Sequence, residues 1–538
     1  MRIGIASMIA VALMTGASPP AGAAQDKPAA ASSVPEPALK PEQGSTQGSV
    51  IIGGKRIDYE AVTGTLIVHP KGWDDVPANH EVDPKVVEPV ASMFYVAYFA
   101  KPDPKGPRPA RPVTFFYNGG PGSSTVWLHM GAFGPKRILT ANDTHTPAAP
   151  YSVVANEFSL LDATDMVFID APGTGFSRVA GKERQKAFYG VDQDAYAFTD
   201  FIRQFLGRHN RWNSPKFLFG ESYGTTRSAL LAYQLQRQSI DLNGVMLLSQ
   251  ILMFDGSADG PESNPGVNLP YSLALPTYAA TAWYHRKLPG APRDLPGLLA
   301  EVEQFAIHDY ATALMEGAAI SAERRQATAE RLHQYTGLPV DYLLKADLRI
   351  NGGTFSQQLR ASEGVTVGRL DTRFSGPSID PLSKQASYDP QASAISSAYV
   401  AAYNDYARNE LKVAADRTFK PNAYAELQWD FRHRPPGGDE GDAQTNVMPD
   451  LAIAMKNNPL LKVMVLGGYY DLATPYFQAQ YEMGQLPIPD TLRGNIEFKW
   501  FESGHMVYAR EADMEPLHDS LAGFIRRNAG GANTPAKR

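Results

Sequence analysis

The stretch KFLFGESYGTTRSALLAYQLQRQ, Lys216 to Gln238, leaves little choice of fold. Its first residues are apolar without polar alternation, as in a strand buried on both faces of a mostly parallel sheet. From Thr225 to Gln238 the pattern is helical. Between them, Gly220-Glu221-Ser222-Tyr223-Gly224 joins strand to helix with almost no loop. The glycines make room for that sharp turn, which holds Ser222 at the C-terminal edge of the sheet, by the backbone N–H groups of a helix start. Strands are also read at Ser92–Ala100, Pro112–Tyr117, Asp165–Ile169, Val245–Leu248 and Lys462–Leu466, several of them without polar alternation, and at Ile496–Phe501. Asp194 to Leu206 is helical, with Phe198, Phe201, Ile202, Phe205 and Leu206 on one stripe. Strands alternating with helices predict an α/β layered fold.

The ends of the chain read differently. MRIGIASMIAVALMTGASPPAGAAQ has one early arginine, an apolar run too short to span a bilayer, and a small-x-small site at Ala21–Ala23. Residues 1–23 are therefore expected to be a secretory signal peptide. Residues 24–48 are rich in Ala, Pro, Ser and Gln and read as a disordered linker. The tail 529–538 is similarly loose. Two core stretches, 49–252 and 456–528, are expected to flank a mostly helical insertion at 253–455. The chain has no cysteine, so export would bring no disulfides, which points to a bacterial periplasm or medium. Net charge is −6 and no basic patch stands out, so neither nucleic acid nor an anionic membrane is an expected partner.

A serine nucleophile needs a base, and the base needs an orienting group. Asp471 follows the strand at Lys462–Leu466 and His505 follows the strand at Ile496–Phe501. Both fall on the same sheet edge as Ser222, in the chain order Ser, Asp, His. His505 would take the Ser222 proton, and Asp471 would fix the imidazole tautomer. The N–H of Tyr223 and the glycine-rich loop FFYNGGPGSS, Phe115 to Ser124, would supply donors for an oxyanion. The histidines show no metal-ligand spacing, and no cofactor or metal is expected. His129 reads as a wall residue rather than a base, and Trp127, Tyr223 and Tyr470 are candidate pocket walls.

NGGPGSS, IDAPGTGFS, GESYG, GYYDLATP and SGHMVY, in this order, resemble the serine carboxypeptidase family over about residues 50 to 525. The resemblance implies an α/β-hydrolase fold, with a mostly parallel central sheet and a large, mostly helical cap insertion. It implies release of C-terminal residues from peptides, usually at acid pH. Ser222, Asp471 and His505 would be the triad, and the N–H groups of Gly120 and Tyr223 the oxyanion hole. Asn118, Gly119 and Glu221 would bind the terminal carboxylate of a peptide substrate. That gives Glu221 a role, since an acid beside a nucleophile does not help its attack. Two carboxylates held together share a proton, so Glu221 would be protonated and donate to the substrate.

Some positions depart from the family pattern. Ser123 stands where many members have cysteine. Ala132 stands where better-known eukaryotic members have a glutamate that adds a second acid. Tyr469 replaces an aspartate, and Tyr508 replaces a proline after His-Met-Val. An esterase or acyltransferase on the same triad is the rival reading, and a non-catalytic periplasmic binding protein is the rival from another class.

Overall fold

The computed structural model describes residues 39–76, 88–102, 111–291, 293–413, 416–438 and 445–530. The leader read at 1–23, the linker up to residue 38 and the tail from 531 lie outside the described residues.

The strands are β1 (Gln43–Ile52), β2 (Lys55–Val68), β3 (Val90–Ala100), β4 (Val113–Tyr117), β5 (Lys136–Ile138), β6 (Val153–Ala155) and β7 (Asp165–Ile169). They continue with β8 (Arg178–Ala180), β9 (Lys216–Glu221), β10 (Gly244–Leu248), β11 (Val365–Val367), β12 (Ser375–Pro377), β13 (Lys462–Gly468) and β14 (Ile496–Phe501). A ten-stranded sheet runs β1-β2-β3-β7-β4-β9-β10-β13-β14, with β8 beside β3. From β7 to β14 every neighbour is parallel; β1, β2 and β3 are antiparallel additions at one edge. The chain thus has the mixed, mostly parallel sheet of an α/β-hydrolase fold. Pairs β5–β6 and β11–β12 form small separate hairpins.

The central strands are apolar on both faces because both faces are covered. Along β4, Phe115 and Tyr117 enter one core while Phe116 enters the other. Leu218 of β9 and Val245 and Leu247 of β10 join the first; Phe217, Phe219, Met246 and Leu248 join the second. The helices Val191–Arg208, Tyr223–Arg237 and Met448–Asn457 pack on the first face. The helices Pro390–Asn409 and Glu511–Asn528 pack on the second.

Residues 43–48, read in the sequence as linker, are part of β1. The run QGSTQGS carries no apolar signal because this edge strand is mostly exposed and held by backbone pairing with β2. Gly48 lies opposite Tyr59, where an added Cβ would fall 2.5 Å from the ring. The span 253–455 is mostly helical but packs in two ways. The helices Leu269–Tyr284, Leu295–Phe305 and Ala322–Thr336 build a third core together with Tyr470, Leu472 and Tyr476. The helices Pro390–Asn409 and Met448–Asn457 instead return to the two faces of the sheet. Among the described residues no helix is long and apolar enough to cross a membrane.

Candidate active site

Ser222 sits between the end of β9 and the helix Tyr223–Arg237, at φ 61° and ψ −130°. A non-glycine residue in that region is strained by roughly 1–3 kcal/mol and persists only when its surroundings hold it. Here the Ser222 N–H donates to the Leu248 carbonyl of β10 (2.9 Å), and its carbonyl accepts from the Thr225 N–H (2.8 Å) and hydroxyl (2.7 Å). Gly220 permits the turn: an added Cβ would meet the Gly224 carbonyl oxygen at 2.1 Å. Ser222 stays partly exposed, whereas its neighbours Glu221 and Tyr223 are buried.

Asp471 and His505 follow β13 and β14, at the same sheet edge. His505 Nδ1 lies 2.8 Å from Asp471 Oδ2. The other carboxylate oxygen, Oδ1, accepts the N–H groups of Ala473 (2.9 Å) and Thr474 (3.0 Å). Thr474 Oγ1 donates to Asp471 Oδ2 at 2.7 Å. Burial alone would lower the His505 pKa, but the Asp471 carboxylate, with a contribution from Glu221, outweighs it and holds the imidazole above its ordinary value. No hydrogen bond joins Ser222 Oγ to His505 here; catalytic contacts of this kind are often long before substrate binds.

The His505 loop is anchored from two sides. Ser249, which follows β10 beside the Ser222 turn, donates its hydroxyl to the His505 carbonyl at 2.7 Å. From the inserted segment, the Leu370 carbonyl accepts the His505 N–H at 2.7 Å, and the Arg369 carbonyl accepts the Leu472 N–H at 3.0 Å. The Thr372 N–H donates to the Tyr470 carbonyl at 2.9 Å. Asp389 Oδ2 accepts the N–H groups of Arg369 (2.9 Å) and Leu370 (2.7 Å) while its Oδ1 caps the helix Pro390–Asn409. Residues 368–374 thus form a strap across both loops.

The loop after β4 lies directly against the Ser222 turn. At Gly119 an added Cβ would fall 2.4 Å from the Tyr223 nitrogen, so only glycine fits. Gly120 has φ +110°, and no protein acceptor among the described residues takes its N–H or that of Tyr223. Asn118 Nδ2 donates to Glu221 Oε1 at 2.7 Å, and its Oδ1 accepts the Leu128 N–H at 3.2 Å. Burial pushes the Glu221 carboxyl up to about 7, against the opposing influence of His505, Tyr508 and Asn118.

A buried ion pair ties this loop to the helical layer. Arg227 donates to both oxygens of Asp194, at 2.6 and 3.1 Å, and to the Asn118 carbonyl at 2.8 Å. Its guanidinium lies 4.2 Å from the Phe198 ring centroid, and neither charged side chain is more than 1% exposed. Breaking such a pair leaves an uncompensated charge in the interior. Arg227→Met is expected to lower unfolding stability by about 3–5 kcal/mol, and Arg227→Met with Asp194→Leu to regain much of it. Denaturation midpoints of the three proteins test this; a single variant as stable as wild type would contradict it.

The predicted residues Ser222, Asp471, His505, Gly119, Gly120, Tyr223, Asn118 and Glu221 therefore converge on one sheet edge. Other expectations change. His129 is a core residue, stacked on Phe168 with Nε2 2.7 Å from the Tyr98 hydroxyl, and burial lowers it to about 3. Tyr223 packs against Trp429 and Tyr470 against Tyr284, both at most 2% exposed, so they are core rather than wall. Trp127 remains partly exposed and donates to Ser123 Oγ at 2.9 Å. The anchors Ser249, Leu370 and Asp389 carry no signal in the sequence motifs. A cavity of about 430 Å³ between Glu301, His308, Arg324 and Arg331 lies in the helical layer and includes none of these residues. Among the described residues no group of three or more His, Asp or Glu could hold a metal ion.

Residues 85–268 match the family model of serine carboxypeptidase. The chain is 27% identical over 170 residues to serine carboxypeptidase-like 51 of Arabidopsis thaliana, covering 30% of this chain and 34% of that protein. It is 29% identical over 178 residues to serine carboxypeptidase-like 50 of the same plant, covering 32% and 36%. The match spans about a third of the length of these curated relatives. A solved prohormone-processing carboxypeptidase from Saccharomyces cerevisiae superposes with a TM-score of 0.49 at 14% identity, over 86% of this chain and 91% of that one. A proline iminopeptidase from Mycobacterium smegmatis gives a TM-score of 0.31 at 13% identity, over 90% and 99%.

Proposed function

Residues 85–268 belong to the serine carboxypeptidase family, and from that premise we propose that the chain is an exported serine carboxypeptidase releasing C-terminal residues from peptides. Ser222 Oγ attacks the scissile carbonyl as His505 takes its proton. The resulting oxyanion sits on the N–H groups of Gly120 and Tyr223. His505 returns the proton to the departing amine, and water, activated by the same imidazole, releases the acyl group from Ser222. Asp471 accepts the hydrogen bond from His505 Nδ1–H throughout. The helices of the third core would wall the site on the side of Asp471.

The observation that carries the substrate class is Glu221. It is a buried carboxyl with a pKa of about 7, one residue before Ser222 and bonded to Asn118. Below that pKa it holds a proton and donates to a carboxylate; above it the two negative charges repel. Its ionised form also helps to hold His505 above its ordinary pKa.

The Michaelis constant for a free-acid peptide is therefore expected to rise as pH passes about 7, approaching about tenfold per pH unit beyond it. Glu221→Gln should flatten that rise, because an amide donates without titrating. An N-blocked dipeptide, its C-terminal amide and its methyl ester, assayed from about pH 4 to about pH 8, test both points across carboxyl and histidine titration. Preference for the free acid supports a carboxypeptidase. Ester cleavage indifferent to a free C-terminus would favour an esterase or acyltransferase, the reading that the methyl group of Ala132 supports in place of a second acid.

A further inference from the structure

Two buried polar atoms at this site lack partners. Glu221 Oε1 is taken by Asn118, but Oε2 has no hydrogen-bond partner among the described residues. The Tyr508 hydroxyl is likewise buried and without one. The two groups are neighbours: the hydroxyl is close enough to Glu221 and Asn118 for charge and hydrogen-bonding influence between them, but at a distance or angle that makes no full hydrogen bond. Buried polar groups are rarely left this way, and each exception calls for an explanation, a functional role among them.

The placement of Tyr508 is specific. It lies in the one-turn helix Val507–Ala509, three residues after His505, so the loop that carries the base also carries this phenol. Its ring packs at Gly131, where an added Cβ would fall 2.7 Å from atoms of both Tyr508 and Tyr399. Next to Gly131 is Ala132, whose methyl brings no acid to the cluster. Two tyrosines thus occupy the space beside Glu221. Burial, together with the neighbouring Glu221, holds the Tyr508 phenol far above its ordinary pKa, so it remains a donor.

We propose that Tyr508 is a specificity-determining residue whose hydroxyl, together with Glu221 Oε2, binds the terminal carboxylate of the peptide substrate. A carboxylate has two oxygens; one accepts from the phenol and the other shares the Glu221 proton. A neutral phenol supplies a donor without adding a negative charge that would repel the ligand. This rests on the carboxypeptidase reading above.

Tyr508→Phe removes only the hydroxyl. The three matched substrates should separate: the Michaelis constant for the free-acid dipeptide rises about tenfold, the worth of one hydrogen bond to a charged group. Turnover number, amide and ester kinetics and the rate of fluorophosphonate labelling stay unchanged. The variant should melt at or above the wild-type temperature, since the hydroxyl it loses has no protein partner. A marked fall in melting temperature would mean a structural role and overturn the proposal. So would an unchanged free-acid constant, or an equal change on all three substrates. Wild-type enzyme that does not prefer acid over amide overturns the carboxypeptidase reading and this inference with it. Wild-type preference kept intact in Tyr508→Phe overturns the inference alone.

Discussion

Ser222→Ala is expected to lower peptide and ester hydrolysis by on the order of 10⁶-fold and to abolish fluorophosphonate labelling. The size follows from a unit that works together: without the hydroxyl, the imidazole of His505 has no proton to take, and the remaining donors stabilise an oxyanion that no longer forms on the protein. The fold should survive. Ser222 makes its turn contacts through backbone groups, the N–H to Leu248 and the carbonyl to Thr225, which alanine keeps. Relief of a strained conformation does not follow either, because alanine meets the same positive φ. Labelling at the wild-type rate in this variant would mean that the reactive nucleophile lies elsewhere.

Asp471→Asn is expected to reduce turnover by about 10⁴-fold while leaving substrate affinity nearly intact. The local hydrogen bonds set the reason. The N–H groups of Ala473 and Thr474 both point at Oδ1, so an asparagine must put its carbonyl oxygen there. Its NH₂ then faces His505 Nδ1, where the carboxylate now accepts a proton. The imidazole is driven to the tautomer with its proton on Nε2, the nitrogen that has to accept from Ser222. The positive charge it would develop also loses its counter-ion. A turnover number within tenfold of wild type would show that Asp471 does not orient the base. Asp471→Ala, which forces no tautomer, is expected to lose less turnover than Asp471→Asn.

Much of this was readable because local signals coincide. Around Ser222 an apolar strand, paired glycines and a helix meet within a few residues. Asp471 follows an apolar strand and His505 the half-exposed edge strand β14, and parallel pairing brings those ends to one edge. What escaped has physical causes. Leu370 and Arg369 act through main-chain carbonyls, which any residue would offer, so no side chain marks them. The Arg227–Asp194 pair joins two helices across a long stretch of chain. Tyr223 and Tyr470 adjoin the site in sequence, but the chain direction there turns their rings into the core. β1 escaped because an exposed edge strand needs no apolar pattern.

The strap at 368–374 has a consequence for engineering. If the proposed function holds, swapping the inserted segment between relatives is one way to change which substrates the site takes. Here the same segment also grips the loops of Asp471 and His505. A chimera that imports a foreign insertion would keep every triad residue and still be slow, unless the recipient's own strap and its Asp389 anchor are carried over intact. On the proposed function, selectivity and reactivity would not be separable modules in this chain.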